Sequence, residues 1–148
     1  MKKVILNKCY GYFSVSGVGY AKYCEKIGKP CFMYKMSFDQ DLDKVTYTKK
    51  NIYEDRVGIF DIFLTKYIGD VTTRPNSLIH DKDIQDAIID LDSDHREDPI
   101  LIEVVEELGE DANDWCSQLK VVEIPDDLDY VIDNNDGIET LHQRVQTW

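Results

Sequence analysis

Glycine and proline are scarce in this sequence, at 8 and 4 of its 148 residues. So low a content excludes the low-complexity and disordered classes of chain. Long apolar runs are also absent, because no segment approaches the roughly 18 to 20 residues that a membrane-spanning helix requires. The apolar run that begins at Val4 ends at Leu6, which is too short for the core of a signal peptide. We therefore expect a folded cytoplasmic protein with no membrane partner.

The four cysteines form no CxxC pair, the spacing found in zinc sites and redox centres. Because no secretion signal precedes them, we expect reduced thiols in a cytosol. Cys9 ends a predicted strand, a place where a nucleophile could sit, but a catalytic cysteine needs a histidine partner that the sequence does not indicate. No catalytic residue is therefore predicted, and a non-enzymatic role is favoured over an enzymatic one.

Cations are few in the second half of the chain. The net charge is −12, and residues 1–74 carry +5 whereas residues 75–148 carry −17. A chain this acidic is a poor partner for double-stranded nucleic acid, whose phosphates need cations. Eight of nine tyrosines and all five phenylalanines lie in the first half. Either the two halves share one core and their charges mix in space, or an acidic face meets a basic partner and an aromatic face meets something anionic.

Two acidic segments, 39–43 and 90–95, begin like calcium-binding loops. An EF-hand loop needs glycine at its sixth position and glutamate at its twelfth. The second segment has His95 and Leu101 at these positions, and the first has Lys50 at its twelfth. Both segments are interpreted as solvated acidic turns. The three histidines are far apart in the sequence and lack zinc-binding spacing, so we predict no metal and no cofactor.

The first half alternates strand-like runs with one amphipathic helix. Ser16 is typical of a helix N-cap and Gly28 of a helix end, and apolar residues recur between them at helical spacing, which predicts a helix over 17–27. The other predicted elements are a strand at 3–10, a loop at 11–19, strands at 31–36 and 45–53 around a turn at 39–43, a strand or helix at 57–68, a loop at 69–82, and a short helix or strand at 83–91.

The second half contains the clearest helix signal. Asp98 is a typical N-cap, Pro99 suits the first helical position and Gly109 suits the end, so together they predict a helix over 99–108. The remaining predicted elements are a polar turn or short helix at 110–117, a strand at 120–125, and a hairpin of 128–133 and 138–143 around a turn at 134–137.

The chain shows no internal repeat and no linker. Its length of 148 residues is about one domain, and a chain of that size can bury a core without disulfides or metals. We therefore predict one α+β domain over 1–148, in which two main helices pack on a mixed or antiparallel sheet.

A strand, a glycine-bearing loop and a helix follow one another at residues 4–27, an arrangement that can bind an anion at the helix N-terminus. The sequence lacks the glycine-lysine-serine or -threonine of a P-loop and the third glycine of a dinucleotide fingerprint. A looser site is still compatible, in which amides near Ser16 hold a phosphate and nearby rings stack on a base. The alternative is that Ser16 only caps its helix and the rings pack in the core.

Arg96 is one of four cations in the last 74 residues. A lone arginine among carboxylates is commonly an ion-pair partner, but it can also clamp a phosphate or carboxylate. The candidate ligand-binding residues are Lys8, Tyr10, Tyr12, Phe13, Ser14, Ser16, Lys22 and Arg96.

The opening VILNKCYGYFSVS and the closing DPILIEVVEELGEDAN, LKVVEIPDDLDYVID, DGIE and RVQTW resemble a family of small bacteriophage and prophage proteins. In that family the opening reads close to NKCYGGFGLS, and the later part contains DDP, VVEELG, EIPDD and DGIE. The resemblance covers about the first 30 and last 55 residues and leaves 31–90 unmatched. The sequence departs from the family at Tyr12, where glycine is usual, and at 140–141, where an aromatic residue is usual.

The resemblance implies an accessory protein made in the cytoplasm of an infected bacterium. Such proteins commonly inhibit host defences, so we expect this one to bind and sequester a nucleotide-derived immune signal without turning it over. The first alternative is an acidic inhibitor of a host defence protein or nucleic-acid-binding protein, and the second is a hydrolase. Homo-oligomerisation through the C-terminal hairpin and Trp148 is a further expectation.

Overall fold

The computed structural model describes residues 1–39, 41–76 and 81–144. They form two compact units: the first comprises Met1–Gly19 and the chain from Leu91 onward, and the second comprises Tyr20–Asp90. All strand pairings between the described strands are antiparallel, and the two longest helices have ten residues each. The α+β class is therefore confirmed, whereas the single domain stays a prediction. Within the described ranges no helix is long and apolar enough to cross a membrane.

The elements follow one another in the order strand, helix, four strands, helix, strand, helix and three strands. In sequence they are β1 (Lys2–Asn7), α1 (Gly17–Lys26), β2 (Phe32–Asp39), β3 (Lys44–Lys50), β4 (Asp61–Leu64), β5 (Val71–Pro75), α2 (Lys82–Ala87), β6 (Ile88–Ile89), α3 (Pro99–Leu108), β7 (Leu119–Ile124), β8 (Tyr130–Asn135) and β9 (Ile138–Gln143). Short 3₁₀ turns occupy Ser93–His95 and Gly109–Ala112.

The first unit is built on the pairing of β1 with β7, on which α3 packs. The hairpin β8–β9 forms a separate two-stranded sheet. Val4, Leu6 and Ile124 are buried together against apolar side chains of that hairpin. Because successive strand residues point to opposite faces, the full burial of Ile5 between Val4 and Leu6 shows that both faces of β1 are covered.

Helix α3 begins and ends at the predicted residues. The Asp98 side chain accepts a hydrogen bond from the Ile100 amide at 2.9 Å, Pro99 occupies the first position, and Gly109 ends the helix with φ +58°. Its buried residues recur at helical spacing, as the sequence predicts: they are Leu101, Ile102, Val104 and Val105.

The second unit is a five-stranded sheet in the order β5-β3-β2-β4-β6. On one face Tyr34, Tyr47 and Leu64 form a core with Ile84 of α2. On the other face the ring of Phe63 in β4 stacks on Tyr20 of α1, with centroids 3.6 Å apart. The two faces thus each bury against one helix.

Several predicted elements need correction. The predicted loop at 69–82 is wrong over Val71–Pro75, which form the edge strand β5. The strand predicted at 31–36 extends to Asp39, and of the ambiguous segment 57–68 only β4 is regular. Segment 83–91, predicted as a short helix or a strand, contains both, since α2 runs directly into β6. Trp148 and His80 lie outside the described residues.

Candidate functional site

A buried carboxylate, Glu139 of β9, is the centre of the polar network in the first unit. Its Oε1 accepts hydrogen bonds from the Asn7 amide at 2.7 Å and from Arg96 Nη1 at 3.2 Å, and its Oε2 accepts from Arg96 Nη2 at 3.0 Å. Arg96 Nη1 also donates to the Ile5 carbonyl at 2.9 Å. The side chains of Arg96 and Glu139 are only 15% and 4% exposed. Arg96 is therefore held as a bidentate ion-pair partner inside the fold.

Asn7 joins three segments through one side chain. Its Nδ2 donates to the carbonyls of Gly137 at 2.7 Å and Cys9 at 3.0 Å, and its Oδ1 accepts from the Gln118 amide at 2.8 Å. The end of β1, the hairpin turn and the start of β7 are thereby fixed to one another. Segments quoted for the phage resemblance, NKCYG and DGIE, meet at this network, so these residues have a structural role in the unit.

Two glycines allow the hairpin turn to approach the loop after β1. The Gly11 amide donates to the Asp136 carbonyl at 3.0 Å. Gly137 has φ +97°, and a Cβ at this position would overlap the backbone of Gly11. Only glycine fits there without displacing the loop.

The loop after β1 is also joined to the segment between α3 and β7. Ser14 Oγ donates to Asp114 Oδ2 at 2.9 Å, and Ser117 Oγ donates to the Ser14 carbonyl at 2.7 Å. The Tyr12 amide donates to the Cys116 carbonyl at 3.3 Å. A hydrogen bond from the Tyr12 hydroxyl to the Cys116 thiol, together with burial, raises the pKa of Tyr12 to about 12. These contacts hold the loop in one conformation.

The polar groups predicted to bind an anion are engaged within the protein. Lys8 Nζ donates to the Glu139 carbonyl at 2.8 Å. Ser16 Oγ donates to the Asp111 carbonyl at 2.6 Å and accepts from the Gly19 amide at 3.1 Å, as expected of an N-cap. The Ser16 amide donates to the Ala112 carbonyl at 3.0 Å. An anion at this loop would have to compete with these bonds.

The predicted ring side chains have different environments. Phe13 is half-buried, with the Arg96 guanidinium 5.3 Å from its ring centroid. Tyr10 and Tyr12 are 72% and 48% exposed. Lys22 belongs to the second unit, where its ammonium lies 3.9 Å from the Glu25 carboxylate. The structure thus places seven of the eight candidate residues in the first unit, and their role in ligand binding stays a prediction.

A cleft of about 670 Å³ lies in the second unit, where β2 begins and β3 ends. Its chemical character comes from two lysines, two rings and several polar groups. The lining residues are Cys31, Phe32, Met33, Thr48, Lys49, Lys50, Asn51, Ile52, Tyr53, Asp70 and Val71.

The two lysines of the cleft differ in their partners. Lys50 Nζ donates to Asp61 Oδ2 at 2.6 Å and to the Arg56 carbonyl at 2.9 Å. Asp61 is 2% exposed at its side chain, so this pair is structural. Lys49 is exposed, and its ammonium can meet a ligand.

The turn after β3 fixes the outer wall of the cleft. The Asn51 amide donates to Asp55 Oδ2 at 2.6 Å, and Asn51 Oδ1 accepts from the Tyr53 amide at 3.0 Å. Tyr53 is 70% exposed. The acidic lining residue, Asp70, accepts a hydrogen bond from the Tyr67 hydroxyl at 2.7 Å. The cleft therefore presents an exposed ring beside an exposed cation.

Sequence reasoning did not identify this cleft. The available signal was the run of two lysines and an asparagine, followed closely by Tyr53, within the strand predicted at 45–53; the observed strand β3 ends earlier, at Lys50. That run has no motif spacing, and only the fold brings it next to Phe32 and Asp70.

Two of the histidines lie near carboxylates. His142 Nε2 lies 2.9 Å from Asp133, and His95 lies 3.4 Å from Asp92. No group of three or more potential metal ligands occurs in the described part of the chain. A hydrogen bond from the Cys31 thiol lowers the pKa of Cys24 and raises that of Cys31.

No protein-family model matches the chain, and neither a curated protein nor a solved structure matches it. The resemblance to small bacteriophage proteins stays a prediction that depends on the quoted motifs.

Proposed function

We propose that this protein binds a small, anionic, ring-bearing molecule of the nucleotide class in the cleft of the second unit and withholds it without turnover. The molecule would be a nucleotide-derived immune signal in the cytoplasm of an infected bacterium. The lining of the cleft supports the class of ligand, and the phage resemblance supports its identity as an immune signal in an infected bacterium.

The size of the cleft suits such a molecule. Its volume of about 670 Å³ falls within the range of about 300–1,000 Å³ typical of small-molecule sites. A nucleoside phosphate needs a cation for its phosphate and an aromatic face for its base. Lys49 supplies the exposed cation and Tyr53 an exposed ring, and the half-buried Phe32 is the second ring of the lining.

The lining also offers neutral hydrogen-bonding groups. Thr48 and Asn51 line the same cleft, and a hydroxyl and an amide can both donate to sugar or base oxygens. The carboxylate of Asp70 accepts a hydrogen bond from the Tyr67 hydroxyl, and Lys49 is the exposed lining residue of opposite charge. We therefore assign phosphate binding to Lys49 and base stacking to Tyr53.

Calorimetric titration with AMP, ADP and inorganic phosphate tests this assignment. We expect Lys49→Ala to weaken nucleotide binding and Tyr53→Ala to weaken AMP binding while leaving phosphate binding unchanged. Lys44→Ala is the matched control for charge, because Lys44 is exposed at the other end of β3. Tyr10→Ala is the matched control for an exposed ring and belongs to the first unit.

Two results would contradict the proposal. If Tyr10→Ala abolishes binding and Tyr53→Ala does not, the ligand occupies the loop after β1 instead. If protein incubated with lysate of defence-activated bacteria releases, on denaturation, a chemically altered nucleotide by mass spectrometry, the protein is a hydrolase. Release of an intact nucleotide supports sequestration.

A second candidate function rests on the distribution of charge between the units. The first unit has 6 lysines and arginines against 17 acidic residues, a net charge of −11, whereas the second has 11 against 12, a net charge of −1. We propose as the alternative that the first unit occupies a basic surface of a host protein. Binding of this kind weakens steeply as salt rises, whereas a stacked nucleotide in a cleft is less sensitive.

A further inference from the structure

Three large rings are exposed at one junction of the first unit. Tyr10, Tyr12 and Trp115 are 72%, 48% and 61% exposed. Tyr10 and Tyr12 flank Gly11, and Trp115 precedes Cys116. A Cβ added to Gly11 would overlap the Cys116 carbonyl, so the two segments touch at Gly11, between the two tyrosines, and at Cys116, next to Trp115. We call Tyr10, Tyr12 and Trp115 the ring junction.

Hydrogen bonds hold the ring junction to the 114–116 segment and to the turn of the β8–β9 hairpin. The Tyr12 amide donates to the Cys116 carbonyl at 3.3 Å. The Trp115 amide donates to Asp114 Oδ1 at 2.8 Å, and the Gly11 amide donates to the turn of the β8–β9 hairpin. Exposed rings on a preorganised backbone lose little conformational entropy on binding. Aromatic residues in such positions are enriched at the energetic centres of protein interfaces.

Exposed carboxylates occur on segments that lead into or bond to the same junction. Asp136 is exposed, and its carbonyl accepts the Gly11 amide. Glu110 and Asp111 are exposed in the 3₁₀ turn that precedes Trp115. Within the described first unit, most cations are already paired with carboxylates or carbonyls: Lys2 with Glu97, Lys3 with Glu106, Lys8 with Glu139, Arg96 with Glu139, and Arg144 with Asp129. The acidic excess of this unit is therefore left to face solvent.

We infer that the ring junction is the docking surface for a basic protein, whose arginine side chains stack on the rings and pair with the flanking carboxylates. This inference rests on the second candidate function. Arginine suits the surface because its planar guanidinium both stacks on an aromatic face and binds carboxylates in a fork geometry. A second copy of the chain is disfavoured by charge, since two first units would each bring a net charge of −11 to the contact.

Binding of two labelled peptides to the full chain tests the inference. One peptide is nine arginines long and the other nine lysines, so that they match in charge. We expect the wild-type protein to bind the arginine peptide more tightly. The double variant Tyr10→Ala/Trp115→Ala keeps the net charge and should lose about tenfold or more in affinity for the arginine peptide. The same variant should bind the lysine peptide almost as the wild type does.

The matched control is Phe60→Ala, which removes a ring that is 50% exposed in the second unit and outside the cleft. It should leave both affinities unchanged, and circular dichroism should show that all variants remain folded. If neither peptide binds at low salt, the second candidate function itself fails. If both bind but the double variant matches the wild type, the function stands and the docking surface lies elsewhere.

Self-association gives a further outcome against the inference. Sedimentation of the wild type and the double variant over a range of concentrations measures it. A wild-type dimer that the double variant dissociates would show that a second copy, and not a basic protein, covers the ring junction.

Discussion

Arg96 and Glu139 form a forked ion pair, with Nη2 3.0 Å from Oε2 and Nη1 3.2 Å from Oε1, although 43 residues separate them in the chain. The carboxylate also accepts the Asn7 amide at 2.7 Å. One charged group therefore satisfies donors from β1 and from the segment before α3. The pair fixes the hairpin against β1, so the geometry of the loop after β1 depends on it.

Glu139→Gln should destabilise the protein by about 3–5 kcal/mol, because it leaves the Arg96 charge buried without its counter-ion. Urea unfolding followed by circular dichroism measures the change. The matched control is Asp129→Asn, which breaks the pair of Asp129 with Arg144 in the same hairpin. Since those side chains are 65% and 55% exposed, the control should cost less than about 1 kcal/mol. Equal losses of unfolding free energy for the two variants would show that the buried ion pair stabilises the fold no more than the exposed one.

Gly137→Ala should be more damaging than Gly109→Ala, although both glycines have positive φ. At Gly109 no atom lies within 4 Å of an added Cβ, so only the penalty for its backbone conformation, φ +58° and ψ −124°, applies, which is about 1–3 kcal/mol. At Gly137 the Cβ also overlaps the Gly11 backbone, which adds an overpacking cost of about 1–3 kcal/mol. Denaturant unfolding of the two variants gives the difference. Identical free energies of unfolding would mean that the loop moves aside freely.

The features that sequence predicted well depend on neighbours in the chain. Asp98, Pro99 and Gly109 act on backbone groups within one helical turn, so their residue types alone determine where α3 begins and ends. Ser16 likewise caps α1 through the Gly19 amide, three residues away.

The features that sequence did not predict depend on distant partners. Arg96 could equally have clamped a ligand, and only the fold brings Glu139 to it. β5 was mistaken for loop because it contains Pro75, which a strand tolerates at a sheet edge. The cleft was missed because its walls come from β2, β3 and the start of β5, and no local pattern records which strands are neighbours.

The phenol of Tyr130 should ionise at a higher pH than that of an ordinary tyrosine. Burial and the hydrogen bond that its hydroxyl donates to Glu97 Oε2 at 2.8 Å raise the pKa of Tyr130 to about 12. Lys2 also faces this ring, 5.1 Å from its centroid. Because the folded-state pKa lies above the unfolded value of about 10, the protonated phenol stabilises the fold below pH 10, and this stabilisation is lost as pH rises from 10 through 12.

Absorbance titration of the wild type and of Tyr130→Phe distinguishes the ionisation of this phenol from that of the other tyrosines. The difference between the two curves should have its midpoint near pH 12, and the wild type should lose its stability advantage over the variant between pH 10 and 12. The same hydrogen bond lowers the pKa of Glu97, so a second loss is expected as pH falls through the folded-state pKa of that carboxyl. A difference curve centred near pH 10 would contradict the assignment.

Substitution of the two adjacent lysines of the cleft should affect different properties: Lys50→Ala should lower stability, and Lys49→Ala should weaken binding. Lys50→Ala leaves the Asp61 carboxylate, 2% exposed, with the Gly58 amide at 2.6 Å but no counter-ion, and should cost about 3 kcal/mol of unfolding free energy. Lys49→Ala removes an exposed side chain and should change stability by less than about 0.5 kcal/mol. Denaturant unfolding measures both, and AMP titration of the Lys49 variant then reports binding alone.

Adding Asp61→Asn to Lys50→Ala should restore part of the stability, because the unpaired charge is removed along with its partner. If Lys49→Ala unfolds as readily as Lys50→Ala, its ammonium has a structural role, and its assignment as the phosphate-binding residue is wrong.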